Sequence, residues 1–445
     1  MTGRYKAYPK MASASEVIIE NYPEHWILTR VKFNSIVKAR VGWHGLKSDD
    51  FTEVGPYLVT GSDFKGKFIQ WKHCYHCDEE RYDQDENIQL TNGDLLLTKD
   101  GTIGKVALVS GLDGKATLNS GVFVVRPIAD EYTTQFYYWL LLSRAFTDFV
   151  DYYKTGSTIA HLYQDTFVNF KFPLPPLVEQ QKIANFLDYE TSKIDTLITK
   201  QEKLIELLKE KRQAVISHAV TKGLNPQAPM RNSGVEWLGE VPEHWVTKAY
   251  RYACKIYRGK FGHRPRNDPD FYDGDYPFIQ TGDVARAGKY IKGYKQTLND
   301  KGITVSQKFP IGTLMMAIAA NIGDTAILGF EAYAPDSVVG FKPKSDIDLE
   351  FLRYSFMAAL PALEQTSTQS TQANLNVDRI GAVKATFPPL AEQKSIVQHL
   401  DTLLERYDEV VEKSISSIEL MKERKIALVS AAVTGKIDVR DWEAE

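Results

Sequence analysis

One long stretch of this sequence occurs twice, and that repeat constrains the fold more than any other feature. Residues 175–222 open with Pro175-Pro176-Leu177-Val178-Glu179-Gln180, and 213 residues later the chain reads Pro388-Pro389-Leu390-Ala391-Glu392-Gln393. The match continues without a gap as far as Ala219-Val220-Thr221 and Ala432-Val433-Thr434. Because the spacing is constant, the two segments have the same length, and the chain is predicted to be an internal duplication.

Apolar residues in both segments recur at steps of three, four and seven, which places them on one side of a long helix. A proline pair cannot lie inside a helix, so it predicts where each helix begins. Each helix would cover roughly 40 residues, or about 60 Å. We expect coiled-coil and partner-docking contacts from Ile183, Leu187, Ile194, Leu197, Leu204 and Leu208 in the first helix, and from Ile396, Leu400, Leu404, Tyr407, Val411 and Ile418 in the second.

An apolar stripe of this length needs a partner that buries it. The two helices of one chain can pair antiparallel, which would place two globular units at opposite ends, related by a pseudo-two-fold axis. The alternative is that each helix folds back on its own globular unit. Equal lengths and an ungapped repeat favour mutual pairing.

The repeat predicts an α+β fold with two tandem globular domains. About 130 residues of strand-like sequence, punctuated by Gly, Asp and Asn, precede each long helix. Two strand matches survive between the copies, Pro56–Gly61 with Pro277–Gly282 and Gly93–Leu97 with Gly312–Met316. The predicted segments are a variable leader (1–21), a first globular domain (22–155), a first helical region (156–222), a linker (223–240), a second globular domain (241–369), a second helical region (370–437) and a tail (438–445).

Both globular domains begin with the tetrapeptide Pro-Glu-His-Trp, at Pro23–Trp26 and Pro242–Trp245. Proline fixes a turn and tryptophan buries a large area, so we interpret the motif as a packing corner and not as a catalytic site. The second copy has a longer lead-in, Gly234–Gly239, which has no match in the first.

Composition excludes several classes of protein. The 445 residues are 43% hydrophobic and 25% charged, as in globular chains, and no window approaches ~20 uninterrupted apolar residues. The basic, polar start is not typical of a secretory signal. Three cysteines argue against a disulfide framework and fit a reducing cytoplasm.

Net charge is −3, but its distribution is uneven. Residues 246–310 contain 13 Lys and Arg against 6 Asp, whereas residues 30–110 contain 11 basic against 12 acidic residues. Only the second half therefore has the electrostatic character of a nucleic-acid binder.

The common catalytic and metal motifs are missing. The stretch His73-Cys74-Tyr75-His76-Cys77 contains two cysteines and two histidines, but a structural zinc needs a second ligand pair, which the sequence lacks. The loop Gly61–Phe68 resembles a phosphate-binding loop until Phe68 replaces the Ser or Thr that would coordinate magnesium. We therefore predict no catalytic and no metal-ligating residues.

Basic and amide side chains in the loops are the remaining candidates. Lysine neutralises phosphates, arginine reads guanine edges and asparagine can read adenine. An ordinary solvated loop is the alternative for each. The candidates for DNA binding are Lys65, Lys67, Lys72, Lys99 and Thr102 in the first domain, and Arg258, Lys260, His263, Arg264, Arg266, Lys289, Lys292 and Asn321 in the second.

The doubled motif Pro-Pro-Leu-x-Glu-Gln-x-x-Ile-x-x-x-Leu-Asp, at Pro175–Asp188 and Pro388–Asp401, resembles that of specificity subunits of type I restriction–modification enzymes. The endings Ala219–Thr221 and Ala432–Ile437 are similar to that family as well, as is the lead-in Gly234–Trp245. The resemblance covers nearly the whole chain in order.

The resemblance implies a non-catalytic subunit with two target recognition domains, each reading one half of a bipartite, asymmetric DNA site. It implies that the helices form an antiparallel coiled coil, set the unread gap and dock two modification subunits. Those partners would bind S-adenosylmethionine and methylate adenine, while two ATP-driven, magnesium-dependent restriction subunits would complete a cytoplasmic nuclease. This chain itself would hold no cofactor.

Two other classes stay open at this point. A coiled-coil scaffold that binds only proteins would keep the helices without any DNA role, although the basic stretch 246–310 speaks against it. A self-sufficient methyltransferase or nuclease would need the catalytic motifs that are missing.

Overall fold

The computed structural model describes residues 5–14, 18–40, 48–153, 161–264, 266–319, 322–365 and 375–444. The chain divides into two compact units: Met1–Gln201 with Ile415–Glu445 form the first, and Glu202–Ser414 form the second. Both long helices are divided between the units, at Gln201 and at Ser414. These two positions are themselves 213 residues apart, so the division respects the sequence repeat.

The first unit contains the following strands and helices in chain order: β1 (Met11–Ser13), β2 (Asn21–Pro23), β3 (Ile27–Arg30), α1 (Val31–Asn34), β4 (Ser35–Ala39), β5 (Thr52–Val59), β6 (Tyr75–His76), α2 (Glu79–Asp83), β7 (Leu95–Thr98), β8 (Val106–Leu108), β9 (Ala116–Leu118), β10 (Val122–Pro127), α3 (Thr134–Leu141), α4 (Arg144–Tyr153), α5 (Gln164–Phe167), β11 (Lys171–Leu174) and the start of α6 (Leu177–Lys222).

The second unit continues with β12 (Met230–Asn232), β13 (Glu240–Pro242), β14 (Val246–Ala249), α7 (Tyr250–Ala253), β15 (Cys254–Arg258), β16 (Tyr272–Phe278), α8 (Thr281–Arg286), β17 (Tyr290–Ile291), β18 (Gln296–Leu298), α9 (Asp300–Val305), β19 (Gln307–Phe309), β20 (Leu314–Ala317), β21 (Thr325–Leu328), β22 (Ala332–Ala334), β23 (Val338–Pro343), α10 (Leu349–Glu364), α11 (Val377–Ala382), β24 (Lys384–Phe387) and the start of α12 (Leu390–Val433).

Two principal sheets with the same strand order occur in each unit. The order β4-β10-β7-β8 of the first unit returns as β15-β23-β20-β21 in the second, which adds β17 at the end. The order β6-β5-β9 returns as β18-β16-β22, with β19 added. A large hydrophobic cluster joins the first sheet to the helices of its own unit. The predicted α+β fold with an internal repeat is confirmed.

One strand match made from the sequence is wrong by one residue. Pairing Pro56 with Pro277 would set the buried Val59 opposite the exposed Gln280. In the structure Val59 is the last residue of β5, and Ile279 is the first residue after β16. Both residues are fully buried. Successive strand residues point to opposite faces, so the shared Pro, Thr and Gly cannot outweigh the burial pattern. The equivalent residues are therefore Val59 and Ile279, followed by Thr60 and Gln280.

The long helices begin directly after the proline pairs, and α6 has 46 residues where α12 has 44. In the first unit Lys425 contacts Asp195 at 2.7 Å, and in the second Arg212 contacts Asp408. Adding 213 to Asp195 and Arg212 gives Asp408 and Lys425, so the two ion pairs are equivalent under the repeat. Within each unit the helices are antiparallel, as predicted.

Each of the two arrangements predicted for the helices, mutual pairing and packing on the globular unit, is correct in part. Ile183 and Leu187 share one hydrophobic cluster with the globular part of the first unit and with Leu428 and Ala432 of α12. Ile396 and Leu400 likewise share a cluster with the globular part of the second unit and with Ile216 of α6. Each helix segment therefore packs on its own globular unit and on the other helix at once.

The predicted apolar stripe is buried over most of its length, but not all of it. Ile183, Leu187, Ile194, Ile396, Leu400, Leu404 and Ile418 are buried, while Leu208, Tyr407 and Val411 are half-buried. Leu197 is 51% exposed and Leu204 38% exposed. At 3.6 residues per turn, the face of Ile194 continues to Ile198, which packs on the core in place of Leu197.

The lead-in of the second copy has a structural counterpart in the first. Strands β1 and β2 are antiparallel, with Met11 opposite Pro23. Strands β12 and β13 are antiparallel in the same way, with Met230 opposite Pro242. The sequence motif Gly234–Gly239 is missing from the first copy, yet its hairpin is present. This hairpin is therefore common to both units, although its first strand lies in the segment 1–21 that was predicted to be a variable leader.

No helix among the described residues is both long enough and apolar enough to span a membrane.

Candidate nucleic-acid interface

The paired motif glutamines attach each globular domain to its long helix. Gln180 accepts a hydrogen bond from the backbone N–H of Thr133, which caps α3, and donates to the carbonyls of Glu131 and Pro175. Gln393 makes the same three bonds in the second unit, to the cap of α10 and the two equivalent carbonyls. Both glutamines are fully buried. An unsatisfied buried amide is costly, so these bonds fix the domain on the helix.

The histidines of both Pro-Glu-His-Trp motifs contact the neighbouring motif glutamates. His25 Nε2 lies 2.8 Å from Glu179 Oε2, and His244 Nε2 lies 2.8 Å from Glu392 Oε2. The tryptophans that follow are buried. The prediction of a packing corner is confirmed.

Lys67 and Lys289, two of the predicted DNA-binding residues, contact helix carboxylates in the structure. Lys67 pairs with Asp188, which also accepts a bond from Trp139 Nε1 at 3.1 Å. Lys289 pairs with Asp401, which also accepts a bond from the Tyr354 hydroxyl at 2.6 Å. Asp188 and Asp401 are equivalent under the repeat. These lysines therefore hold the globular domains on the helices.

The electrostatics of these contacts favour charged lysine. Burial lowers the pKa of Lys289, but the carboxylates of Asp401 and Glu350 more than offset it and hold the pKa above its ordinary value. Burial, assisted by the bond to Asp401, raises the pKa of the Tyr354 phenol. The tyrosine therefore stays a hydrogen-bond donor to the carboxylate at neutral pH.

Carboxylates neutralise much of the basic stretch of the second unit. Arg258 contacts Asp378, and both Arg264 and Arg266 contact Asp336. His263 contacts Asp268 at 2.9 Å and stacks on the ring of Phe271. Eight of the thirteen basic residues in 246–310 have such a carboxylate partner.

Two of the predicted cations in that unit are exposed and make no ion pair within the described part of the chain: Lys260 and Lys292. Lys292 lies in a basic loop that follows α8, together with Lys295 and Lys289, and the loop lines a cavity of about 480 Å³. Lys295 belongs to the same basic run of the sequence as Lys289 and Lys292. Asn321 lies outside the described residues.

The candidates of the first unit form two groups. Lys65 and Lys72 are exposed and have no carboxylate partner among the described residues. Lys99 contacts Asp100 at 3.4 Å, and the same carboxylate holds His161 at 2.7 Å. Thr102 is exposed at the tip of this turn. The Thr98 hydroxyl donates a hydrogen bond to the carbonyl of Thr102, and this bond closes the turn.

The cysteines are packing residues in this structure. Cys74, Cys77 and Cys254 are all buried, and burial raises the pKa of their thiols to about 12, about 11 and about 12. His76, beside Cys77, directs its ring to the carbonyl of Gly55 at 2.8 Å. No group of three or more metal-ligating side chains comes together in the described ranges.

The sequence matches the family described as "Type I restriction modification DNA specificity domain" over residues 36–207 and again over 242–420. The two matched segments together cover more than half of the chain, and each contains most of one globular domain and the first part of the long helix that follows it. The chain belongs to this family. The family resemblance predicted from the doubled motif is confirmed.

Individual members of the specificity-domain family match most of the chain at low identity. The specificity subunit of the type I restriction enzyme MjaVIII from Methanocaldococcus jannaschii is 25% identical over 374 residues, 80% of this chain and 82% of its own. The EcoBI specificity subunit from Escherichia coli is 21% identical over 359 residues, 76% and 75% of the two chains.

Solved structures of the specificity-domain family share the fold. One chain, described under complex assembly and conformational transition of the type I R-M system, has a TM-score of 0.72 at 17% identity, covering 94% of this chain and 99% of its own. The HsdS subunit from Thermoanaerobacter tengcongensis has a TM-score of 0.55 at 17% identity, with 94% and 98% covered.

Proposed function

We propose that this chain is the non-catalytic DNA sequence-recognition subunit of a type I restriction–modification enzyme. One observation carries the proposal. Each of the two segments that match the DNA specificity family contains a complete copy of the same pair of sheets, joined to its own long helix by the same glutamine and aspartate contacts.

A duplicated scaffold with different loops suits a bipartite, asymmetric site. Each globular domain would act as a target recognition domain for one half of the site. Two domains on one chain add their binding free energies, so each can bind weakly while the pair is specific. The paired helices would set the number of unread base pairs between the halves.

The exposed lysines that contact no carboxylate of the described chain are the strongest candidates for phosphate contacts: Lys65 and Lys72 in the first domain, Lys260 and Lys292 in the second. Lys99 and Thr102 would approach the DNA from the turn that carries them. Arg258, His263, Arg264 and Arg266 would have to exchange a carboxylate for DNA. Such an exchange returns little net free energy, because one charge-assisted bond replaces another.

Membership in the family supports a set of partners. The exposed apolar side chains of the helices, Leu197 and Leu204 among them, would help to dock two methyltransferase subunits, which bind S-adenosylmethionine. Two ATP- and magnesium-dependent restriction subunits would complete the nuclease. The subunit would hold no cofactor itself, and it would work in the cytoplasm with its DNA.

The test is methylation mapping in a host that has no adenine methylation of its own. The chain is expressed with its modification subunit, and long-read sequencing then locates the modified adenines. We expect one bipartite motif with a fixed unread gap. Expression of the modification subunit alone is the control and should leave the genome unmodified. A complete absence of methylation with both subunits present would contradict the proposal.

A further inference from the structure

The turn that follows β5 in the first unit and β16 in the second is built in the same way in both. In the first unit the buried carboxylate of Asp63 accepts a bond from the N–H of Thr60 at 2.8 Å. In the second, the buried carboxylate of Asp283 accepts one from the N–H of Gln280 at 2.9 Å. These bonds make the start of this turn a fixed frame in both units, although residues 61–63 form a single 3-10 turn where α8 continues to Arg286.

The side chains on this frame differ between the units. Thr60 bonds locally to the hydroxyl of Ser62, whereas Gln280 reaches across to Gln296 on the neighbouring strand β18. Gln296 lies opposite Phe278, as Tyr75 lies opposite Leu58 in the first unit. A shared frame with different polar groups is the arrangement expected where two domains read different bases.

The bond between the glutamines orients the amide of Gln280. Its Nε2 donates one hydrogen to Gln296 Oε1. Gln280 is an exposed residue, and its amide carries a second N–H as well as a carbonyl oxygen. An amide that presents one donor beside one acceptor matches the N7 and N6 groups of adenine in the major groove.

Both glutamines line a cleft of about 320 Å³. Phe261, Tyr272 and Phe278 form its aromatic walls. The basic loop with Lys292 and Lys295 begins at the other end of the six-residue helix α8. An exposed amide and two cations that make no ion pair with any described residue therefore lie on consecutive segments of one domain.

We propose that Gln280 reads an adenine in the half-site of the second domain, with Gln296 as the positioning residue that orients its amide. The inference rests on the proposed function and deepens it, because it assigns one base to one side chain. A cross-strand bond that serves only to hold β18 is the alternative. That role would leave specificity unchanged when the pair is removed.

The experiment is methylation mapping with the whole chain and its modification subunit, for wild type and five variants. Gln280→Ala should lower the preference for adenine at one position of one half-site by about 5- to 150-fold, the range for one bidentate base contact. Gln280→Glu should move the preference at that position toward cytosine, whose amino group donates to a carboxylate. The other half-site and the gap should not change.

The positioning role of Gln296 has its own readout. Gln296→Ala should weaken the adenine preference, whereas Gln296→Glu should preserve it, because a carboxylate still accepts the hydrogen of Gln280. A role in strand pairing alone would not separate these two variants. Thermal unfolding of each variant checks that the second unit remains folded.

Gln307→Ala is the matched control, since Gln307 is a glutamine of the same unit outside the cleft. An unchanged motif in folded Gln280→Ala and Gln280→Glu proteins would overturn the inference, while the bipartite motif of the wild type would still support the proposed function. Failure of the wild type to methylate would instead contradict the proposed function itself.

Discussion

Asp188 and Asp401 each hold a lysine and an aromatic side chain of the globular domain beside them. Both carboxylates are partly exposed, at 42% and 38%, so solvent screens part of the interaction. We expect Asp401→Asn to lower the free energy of unfolding by about 1 kcal/mol, because Lys289 and Tyr354 lose a charged acceptor. Urea-induced unfolding followed by circular dichroism measures the change.

Asp275→Asn removes the same charge from an exposed aspartate of the same unit that makes no ion pair within the described chain. This control should unfold within about 0.5 kcal/mol of the wild type. Equal unfolding midpoints for the two variants would mean that Asp401 is an ordinary surface residue.

The three cysteines give a second prediction at this scale. The thiolate is the reactive form, and burial raises the pKa of all three thiols, to about 11 at Cys77 and about 12 at the other two. At pH 8 the native protein should therefore react with a disulfide reagent at none of its cysteines within minutes. The denatured protein should release three equivalents. Rapid reaction in the native state would show that one of these sites opens.

Residue types alone could not have separated the basic candidates. Lys67 and Lys72 are five positions apart in the same loop, yet Lys67 meets Asp188, which is 121 residues away, and Lys72 stays exposed. The partners of such lysines are brought together only by the fold. What the sequence did contain was the repeat. Equivalent aspartates in the two copies of the motif were a sign that a basic residue would meet each of them.

Helix α6 contains leucines that differ widely in burial, so their contributions to stability should differ as well. Leu187 is fully buried between the globular domain and α12, whereas Leu197 on the same helix is 51% exposed. We expect Leu187→Ala to cost about 2–5 kcal/mol of stability, because it leaves a cavity in the core. Leu197→Ala should stay within about 0.5 kcal/mol of the wild type.

Urea-induced unfolding of the two variants provides the comparison, and both changes remove the same atoms from the same helix. Similar losses would show that Leu197 is buried after all. A normal stability of Leu197→Ala with weakened retention of the methyltransferase subunit would support the docking role proposed for this side chain.

The long helices could be predicted from the sequence and the strand register could not. A proline pair followed by an apolar repeat fixed the beginning and the length of α6 and α12, because helical periodicity over 40 residues is a strong signal. Strands β5 and β16 have eight and seven residues, so three shared residues, Pro, Thr and Gly, sufficed to misalign them. That shift hid the equivalence of Thr60 and Gln280, and with it the glutamine pair.

At the scale of the whole molecule, the boundary between the units falls at equivalent helix positions, Gln201 and Ser414. Ion pairs that are equivalent under the repeat lie on either side of it, six to eleven positions away in each helix: Asp195 with Lys425, and Arg212 with Asp408. The boundary is thus the place where both helices can be lengthened without removing any of these contacts.

Insertion of seven residues after Gln201, and of seven more after Ser414, should change the gap of the recognised site. One heptad keeps the apolar register of a coiled coil and adds about 10 Å at 1.5 Å per residue. At 3.4 Å per base pair, this corresponds to about three base pairs. If the helices set the gap, methylation mapping should return the same two half-sites with about three more unread base pairs between them.

Seven Gly and Ser residues inserted into the linker 223–229 lengthen the chain by the same number of residues but leave both helices unchanged. This control should keep the original gap. An unchanged gap in the protein with two lengthened helices would exclude the helices as the spacer, while altered half-sites would mean that the insertion disturbed the recognition domains. Only a longer gap between unaltered half-sites agrees with a spacer made of paired helices.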